Sequence, residues 1–353
     1  MTGQSILLAW YDENKRDLPW RHTHDAYSVW LSEVILQQTR VAQGTEYYYR
    51  FLHTYPDVRS LAAADEDEVL HLWQGLGYYS RARNLLKAAR IVAGLGGFPN
   101  EYEQLRRLPG VGDYTAAAIA SIAFGKPYAV VDGNVYRILS RFYTLAVPID
   151  TTEGKRTYAS LAQEWLPAEA PGLHNQAMMD LGATICLPRS PRCECCPLGD
   201  ACMAHAEGRQ EEFPKHARRK IVRTRHFVYL YLRCGSEVFL HRRSRGDIWQ
   251  GLYEPMLIEF NQAPTFAEIS ASAHLPEGCI YRLVAKGLRH QLTHQLLVAD
   301  AYVVKLTDKP GGIDGIWIDE SVRSDYGVSR LVENIYNIID GVLDEEPACQ
   351  NQQ

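Results

Sequence analysis

Leu108-Pro109-Gly110-Val111-Gly112-Asp113-Tyr114-Thr115-Ala116-Ala117-Ala118-Ile119 decides the fold of the first half of this chain. Two glycines bracket a tight turn, and an alanine-rich helix begins directly after it. Glycines there let backbone N–H groups come close to a phosphate at a helix N-terminus. The small alanines permit close helix packing. The same residues also suit a plain helix–turn–helix corner, so the turn takes its meaning from its surroundings.

Outward from this turn the pattern stays helical, from about residue 5 to 205. Ser60–Trp73, Ser80–Ala93 and Tyr114–Ala123 place apolar residues at three- and four-residue spacing. Gly75-Leu76-Gly77, Gly94–Pro99 and Pro109-Gly110 interrupt the helices. Downstream, Cys186, Cys193, Cys196 and Cys202 form the pattern C-x6-C-x2-C-x5-C. Four soft thiolates in one short loop match the all-cysteine ligand set of an iron–sulfur cluster. A zinc site usually pairs its cysteines as two C-x2-C hooks, and only Cys193 and Cys196 make one. A disulfide knot belongs to small secreted domains, and this chain reads as a long cytosolic enzyme. The spacing therefore favours a 4Fe-4S cluster over zinc and zinc over disulfides. Cys195 is left over as a bystander or a competing ligand.

The 353 residues lead us to expect two domains, and the 46% apolar content is ordinary for globular cores. No apolar run of about 18 residues is present, and Met1 to Trp10 carry no secretory signal pattern, so a cytoplasmic protein without membrane contact is expected. The net charge of −5 gives no global sign of a polyanion partner, so any nucleic-acid surface must be local. A basic, proline-containing stretch at 213–225 reads as a linker. After it the texture changes. Phe227–Leu232, Glu237–His241, Leu296–Val304 and Gly315–Ile318 read as strands, and Ser329–Leu343 as a closing helix. The expected organisation is a mostly α domain over 1–212, the linker, an α+β domain over 226–345 and a tail over 346–353.

The turn at 108–119, the run Val131-Asp132-Gly133-Asn134-Val135 and the cysteine loop together resemble the helix-hairpin-helix DNA glycosylase superfamily with its iron–sulfur module. Within it the chain resembles the MutY family, whose members remove adenine mispaired with 8-oxoguanine. The resemblance is dense in the first domain and looser in the second. It implies a 4Fe-4S cofactor on the four cysteines. It also implies a hairpin, Leu108, Gly110, Val111 and Gly112, that holds a DNA backbone. Duplex DNA carrying A:8-oxoguanine or A:G mispairs is the expected partner. A monomer of bacterial type, associated with the nucleoid, is expected.

Three positions place the chain within the superfamily. Endonuclease III-like relatives carry a nucleophilic lysine two residues past the last hairpin glycine, and it forms an imine that leads to strand cleavage. Here that position is Tyr114, so a monofunctional glycosylase using water is expected. Glu33 lies in Leu31-Ser32-Glu33-Val34-Ile35-Leu36-Gln37-Gln38-Thr39, which resembles the family's S-E-V-x-L-Q-Q-T run, where the glutamate is the general acid. A buried position on an apolar helix raises its pKa; a solvated helix glutamate is the alternative. Asp132 would stabilise the sugar cation left by adenine loss, or capture it as a covalent adduct, as in two-carboxylate glycosidases. It also suits an N-cap of the helix that follows, and the two roles are compatible.

The resemblance further implies that Tyr114 and Asn134 support these carboxyl groups. Gln38 and Tyr78 would wedge into the base stack once adenine is flipped out. Asn175–Gly182 matches the family and reads as structural. Some relatives carry a lysine after the D-G-N-V run that traps the abasic product; here it is Tyr136. Arg81, Arg83, Lys87, Arg90, Arg106, Arg107, Lys126, Arg137 and Arg141 outnumber the acidic residues between positions 80 and 142, and this is where the family places the phosphates.

In the second domain, Asp247–Glu254 resembles the family's W-x-G-L-Y segment, and His290-Gln291-Leu292-Thr293-His294 resembles its H-x-F-S-H lesion-recognition loop. Leu292 replaces the family phenylalanine and Thr293 the serine, which leaves Thr293 and His294 to hydrogen-bond the oxidised guanine. The resemblance implies a Nudix-like fold. The metal-binding R-E-x2-E-E helix of Nudix hydrolases does not occur after residue 226, so recognition without hydrolysis is expected. Two other functions fit parts of the pattern. A thymine or uracil mismatch glycosylase would differ in base preference. A silent iron–sulfur DNA-binding protein would have no use for both Glu33 and Asp132.

Overall fold

The computed structural model describes residues 3–217, 223–244, 246–276, 278–292 and 294–344. They form two compact units, one of Met1–Ala64 with Asn84–Arg219 and one of Asp65–Arg83 with Lys220–Gln353.

The first unit is helical. Its core gathers Leu7 and Tyr11 from helix Gly3–Asn14 and Val135, Ile138 and Leu139 from helix Gly133–Phe142. Tyr158 and Ala162 from helix Thr152–Trp165 join Ala177 and Leu181 from helix Pro171–Thr184. The alanine-rich helix Asp113–Ile122 is buried from Thr115 to Ile122, as its small side chains allow. Close approach is literal at Gly172, where a Cβ would lie 2.7 Å from the Ser121 carbonyl oxygen.

Residues 60–73 make two helices, Val58–Ala63 and Glu66–Leu72, rather than one. The Asp65 side chain caps the second by accepting from the Asp67 N–H. Asp65–Arg83 pack with the C-terminal unit. Tyr79 donates to the Val328 carbonyl at 2.7 Å, Arg242 pairs with Asp67 at 2.6 Å, and Arg83 donates to the Gln250 carbonyl.

The second unit is built on a mixed sheet of β1 (Arg223–Cys234), β2 (Glu237–Arg242), β3 (Tyr253–Glu254), β4 (Met256–Phe260), β5 (Ile280–Gln291), β6 (Gln295–Lys305) and β7 (Ile316–Asp319). The order is β3-β2-β1-β6-β5, with β4 also on β1 and β7 on β2. β1 runs parallel to β6, from Arg223 opposite Gln295 to Arg233 opposite Lys305; the other pairings are antiparallel. Helix Arg330–Asp344 covers one face with Leu331, Val332, Ile335 and Ile339. Helix Phe266–Ala273 covers the other with Ile269 and Ala273. The fold is thus a helical unit and an α+β unit.

Candidate active site

Glu33 sits on helix Ala26–Ile35, whose start is capped by Asp25. That helix is buried from Val29 to Ile35, so the sequence pattern that makes an apolar helix also removes Glu33 from water. Glu33 is 6% exposed and lines a pocket with Arg16, Trp20, Arg21, Tyr114, Gln176 and Met179. The Tyr114 hydroxyl donates to Glu33 Oε2 at 2.5 Å. Burial pushes the Glu33 carboxyl up to about 7, and the nearby Asp132 adds to the rise; the Tyr114 hydrogen bond and the Arg21 charge oppose it. A carboxyl at that value is poised to give up a proton near neutral pH.

Asp132 is the N-cap of helix Gly133–Phe142. Its Oδ1 accepts from the Val135 N–H at 2.8 Å and its Oδ2 from Asn134 Nδ2 at 2.7 Å. Burial raises its carboxyl, and these hydrogen bonds with the Arg137 charge hold the rise back. Asn134 Oδ1 in turn accepts from Arg137, whose guanidinium also reaches the carbonyls of Gly133, Gly182 and Cys186. A Cβ on Gly182 would lie 2.4 Å from Asn134 Cβ, so glycine is required where helix Pro171–Thr184 crosses this turn. Glu33, Tyr114, Asp132 and Asn134 therefore occupy one neighbourhood.

Asn175–Gly182 does more than support. Gln176 and Met179 line the Glu33 pocket. Asp180 is fully buried and grips Arg16 and Arg21, with Arg16 Nε donating to Oδ1 at 2.7 Å and Arg21 Nη2 to Oδ1 at 2.6 Å. Trp20 and Arg21 escaped the sequence reading because P-W-R forms only a short 3-10 turn, Pro19–Arg21, without periodicity.

In the hairpin, Leu108 and Val111 are buried, and the Val111 N–H donates to the Leu108 carbonyl at 3.1 Å. Gly110 has φ +76°, and a Cβ there would meet Asn84 Cβ at 2.8 Å; both facts demand glycine. Gly112 precedes helix Asp113–Ile122 and supplies no side-chain cap, so the first-turn N–H groups are not blocked by one. Gln38 and Tyr78 are exposed non-glycine residues with positive φ, +56° and +48°. Such backbone costs of order 1–3 kcal/mol and gathers at functional sites. Arg137 and Arg141 are buried at 8% and 2% exposure, so they leave the basic surface read from the sequence.

Arg141 instead holds the cysteine loop. Its guanidinium donates to Cys186 Sγ at 3.3 Å and to the carbonyls of Leu187, Pro188, Gln210 and Phe213. Among the loop cysteines Cys195 alone is exposed. Burial drives the Cys196 thiol up to about 12, and proximity to Cys186, Cys202 and Cys193 adds to this. Four sulfurs crowded this way need a shared cation to remain thiolates. Among the described residues no group of three or more His, Cys, Asp or Glu side chains is set as ligands of a single ion. An all-cysteine set suits a cluster, in which each sulfur binds its own iron. Backbone N–H groups of Leu198, Ala204 and His205 reach toward Cys196 and Cys202, and Gln210 toward Cys193. The cysteine set fits an iron–sulfur cluster.

In the second unit, Leu292 packs against the core beneath helix Arg330–Asp344, while His294 is exposed. Thr293 lies outside the described residues. His290 packs edge-on to Trp249, ring centroids 5.7 Å apart, and burial lowers its pKa. Trp249 has φ +58° and is positioned by Arg243, which pairs with Asp247 and Glu254.

Among the described residues, no helix is long and apolar enough to cross a membrane. Residues 31–167 match the family model of the HhH-GPD superfamily base excision DNA repair proteins. The adenine DNA glycosylase of Buchnera aphidicola from Acyrthosiphon pisum is 35% identical over 251 residues, 70% of this chain and 72% of the relative. That of Homo sapiens is 47% identical over 217 residues, 58% of this chain; the alignment spans only 40% of the human protein. A thermostable thymine-DNA glycosylase structure is 30% identical with a TM-score of 0.54, covering 58% of this chain and 95% of that one. A non-covalent endonuclease III–DNA complex, 24% identical with a TM-score of 0.50, covers 59% of this chain and 98% of that one and shares the fold. The chain belongs to the adenine DNA glycosylases, HhH-GPD enzymes that excise adenine from DNA in base excision repair.

Proposed function

We propose that this glycosylase is monofunctional and acts on adenine mispaired with 8-oxoguanine or guanine in duplex DNA. The observation that carries the chemistry is the buried Glu33 carboxyl at about 7, bonded to Tyr114 in one pocket and close to Asp132. Glu33 gives its proton to the flipped adenine. The N-glycosidic bond then breaks, with its electron pair leaving on the base and cationic character remaining on the sugar. Asp132, held by Val135 N–H and Asn134, offsets that charge. Water adds to the anomeric carbon, and Glu33 takes back the proton. No lysine occupies the imine-forming position, which is Tyr114, nor the trapping position, which is Tyr136.

Cys186, Cys193, Cys196 and Cys202 would hold a 4Fe-4S cluster, which cross-links the loop that Arg141 and Arg137 tie to the Asp132 helix. The hairpin N–H groups at 110–112 would receive a DNA phosphate, and Gln38 and Tyr78 would enter the base stack. The second unit would be a Nudix-like reader, with Thr293 and His294 on the oxidised guanine and no hydrolysis of its own. A cytoplasmic monomer completes the proposal. The test is single-turnover base release from duplexes carrying adenine opposite 8-oxoguanine, guanine, cytosine or thymine. Adenine release with preference for the first two supports the reading; release of thymine or uracil from mispairs with guanine overturns it.

A further inference from the structure

Asp180 is the most deeply buried charge near the pocket, and nothing in the acid step described above uses it. Its two oxygens accept from Arg16 N at 3.0 Å and Nε at 2.7 Å, and from both terminal nitrogens of Arg21. Arg16 and Arg21 themselves line the pocket that holds Glu33. Two guanidinium groups in the wall of a cavity whose working acid must carry a proton pose an electrostatic problem, because positive charge favours the ionised carboxylate. Asp180 cancels one of them. We propose that Asp180 is a positioning residue for proton delivery: it clamps Arg16 and Arg21 and leaves the wall one net positive charge instead of two.

The inference rests on Glu33 being the acid. The groups that face Glu33 are Tyr114 from helix Asp113–Ile122, Asp132 ahead of helix Gly133–Phe142, and Arg16 and Arg21 from the segment before helix Ala26–Ile35. Helix Pro171–Thr184 presents the neutral Gln176 and Met179, with Asp180 behind the arginines. Asp132 and Asp180 favour the protonated acid; Arg16, Arg21 and the Tyr114 hydroxyl favour the ionised one. The Arg21 charge already lowers the Glu33 carboxyl.

Single-turnover adenine release from an adenine:8-oxoguanine duplex, followed from pH 5 to 9, tests the proposal with four variants. Asp180→Asn raises the wall charge by one, so the midpoint of the alkaline limb should fall by about one pH unit. From a starting value of about 7, release becomes about eightfold slower at pH 7.5 and nearly unchanged at pH 5.5. Arg16→Gln lowers the wall charge, so its midpoint should rise by a similar step. The double variant Arg16→Gln/Asp180→Asn restores the original charge and should restore the original midpoint. An equal loss at every pH in Asp180→Asn, with no recovery in the double variant, would make Asp180 a structural clamp only and overturn the proposal. If Asp180→Asn does not fold, an unmoved midpoint in Arg16→Gln overturns it alone. Full activity of Glu33→Gln would instead sink the assignment of the acid, an outcome distinct from either.

Discussion

Tyr114→Phe probes the acid most finely, because it removes one hydroxyl and little volume. The hydroxyl donates to Glu33 Oε2 at 2.5 Å and so stabilises the ionised carboxylate more than the protonated acid. Its loss must therefore raise the Glu33 pKa. A hydrogen bond to a charged group contributes about 1.5–3 kcal/mol, or about one to two pH units. The starting point is about 7, so the alkaline midpoint of adenine release should move to between about 8 and 9. At pH 8 the wild-type acid is about one-tenth protonated and the variant's at least about half. The low-pH plateau should fall, since the hydroxyl also orients the carboxyl group, by on the order of tenfold. The assay is single-turnover adenine release against pH with product formation quenched by base. A lower plateau with an unmoved midpoint, or a midpoint that falls, would refute the claim that Tyr114 tunes Glu33 through this bond.

Four further outcomes follow from the same geometry. Gly182→Ala drives a methyl group into Asn134, so release should slow at least about tenfold with DNA affinity retained; a normal rate would show that Asn134 can shift without cost. Gly110→Ala should weaken binding to every duplex tested and lower stability by about 1–3 kcal/mol, because φ is +76° and Asn84 blocks the Cβ; binding measured by fluorescence anisotropy that stays unchanged would remove the hairpin from the interface. Protein prepared without oxygen should be yellow-brown with about four irons per chain; stoichiometric zinc instead would contradict the cluster. Thr293→Ala with His294→Ala should reduce the preference for 8-oxoguanine over guanine by on the order of tenfold or more, while adenine opposite guanine is still processed; an unchanged ratio would move lesion reading elsewhere.

The helical unit was legible where local pattern and chemistry coincide. Gly110 announces a turn that only glycine can make, and the Ala116–Ala118 run announces a helix that others pack against. Glu33 was legible as buried because Leu31, Val34 and Ile35 surround it on an apolar helix. Arg16, Arg21 and Asp180 were not, because an ion pair across 159 or 164 residues leaves no local periodicity. Arg137 and Arg141 read as surface cations, yet each turns inward to cap carbonyls of the cysteine loop, which composition cannot reveal. In the second unit β1, β2, β6 and β7 stood out as apolar runs. β5 did not, since it is a bulged strand at the end of the sheet order whose residues are mostly exposed, with Gly287 at φ +64° breaking its alternation. Asp65–Arg83 joined the C-terminal unit through contacts such as Tyr79 with Val328, which no linear domain boundary captures.

The central claim is that Glu33 delivers the proton that frees adenine. The direct measurement is single-turnover release by Glu33→Gln on an adenine:8-oxoguanine duplex, paired with its dissociation constant for the same DNA. The amide keeps the shape and the hydrogen bond from Tyr114 but has no acidic proton. The account predicts release slower by on the order of 10²–10⁴ below pH 7, where Glu33 carries its proton, with affinity unchanged. Release at a near wild-type rate would contradict it.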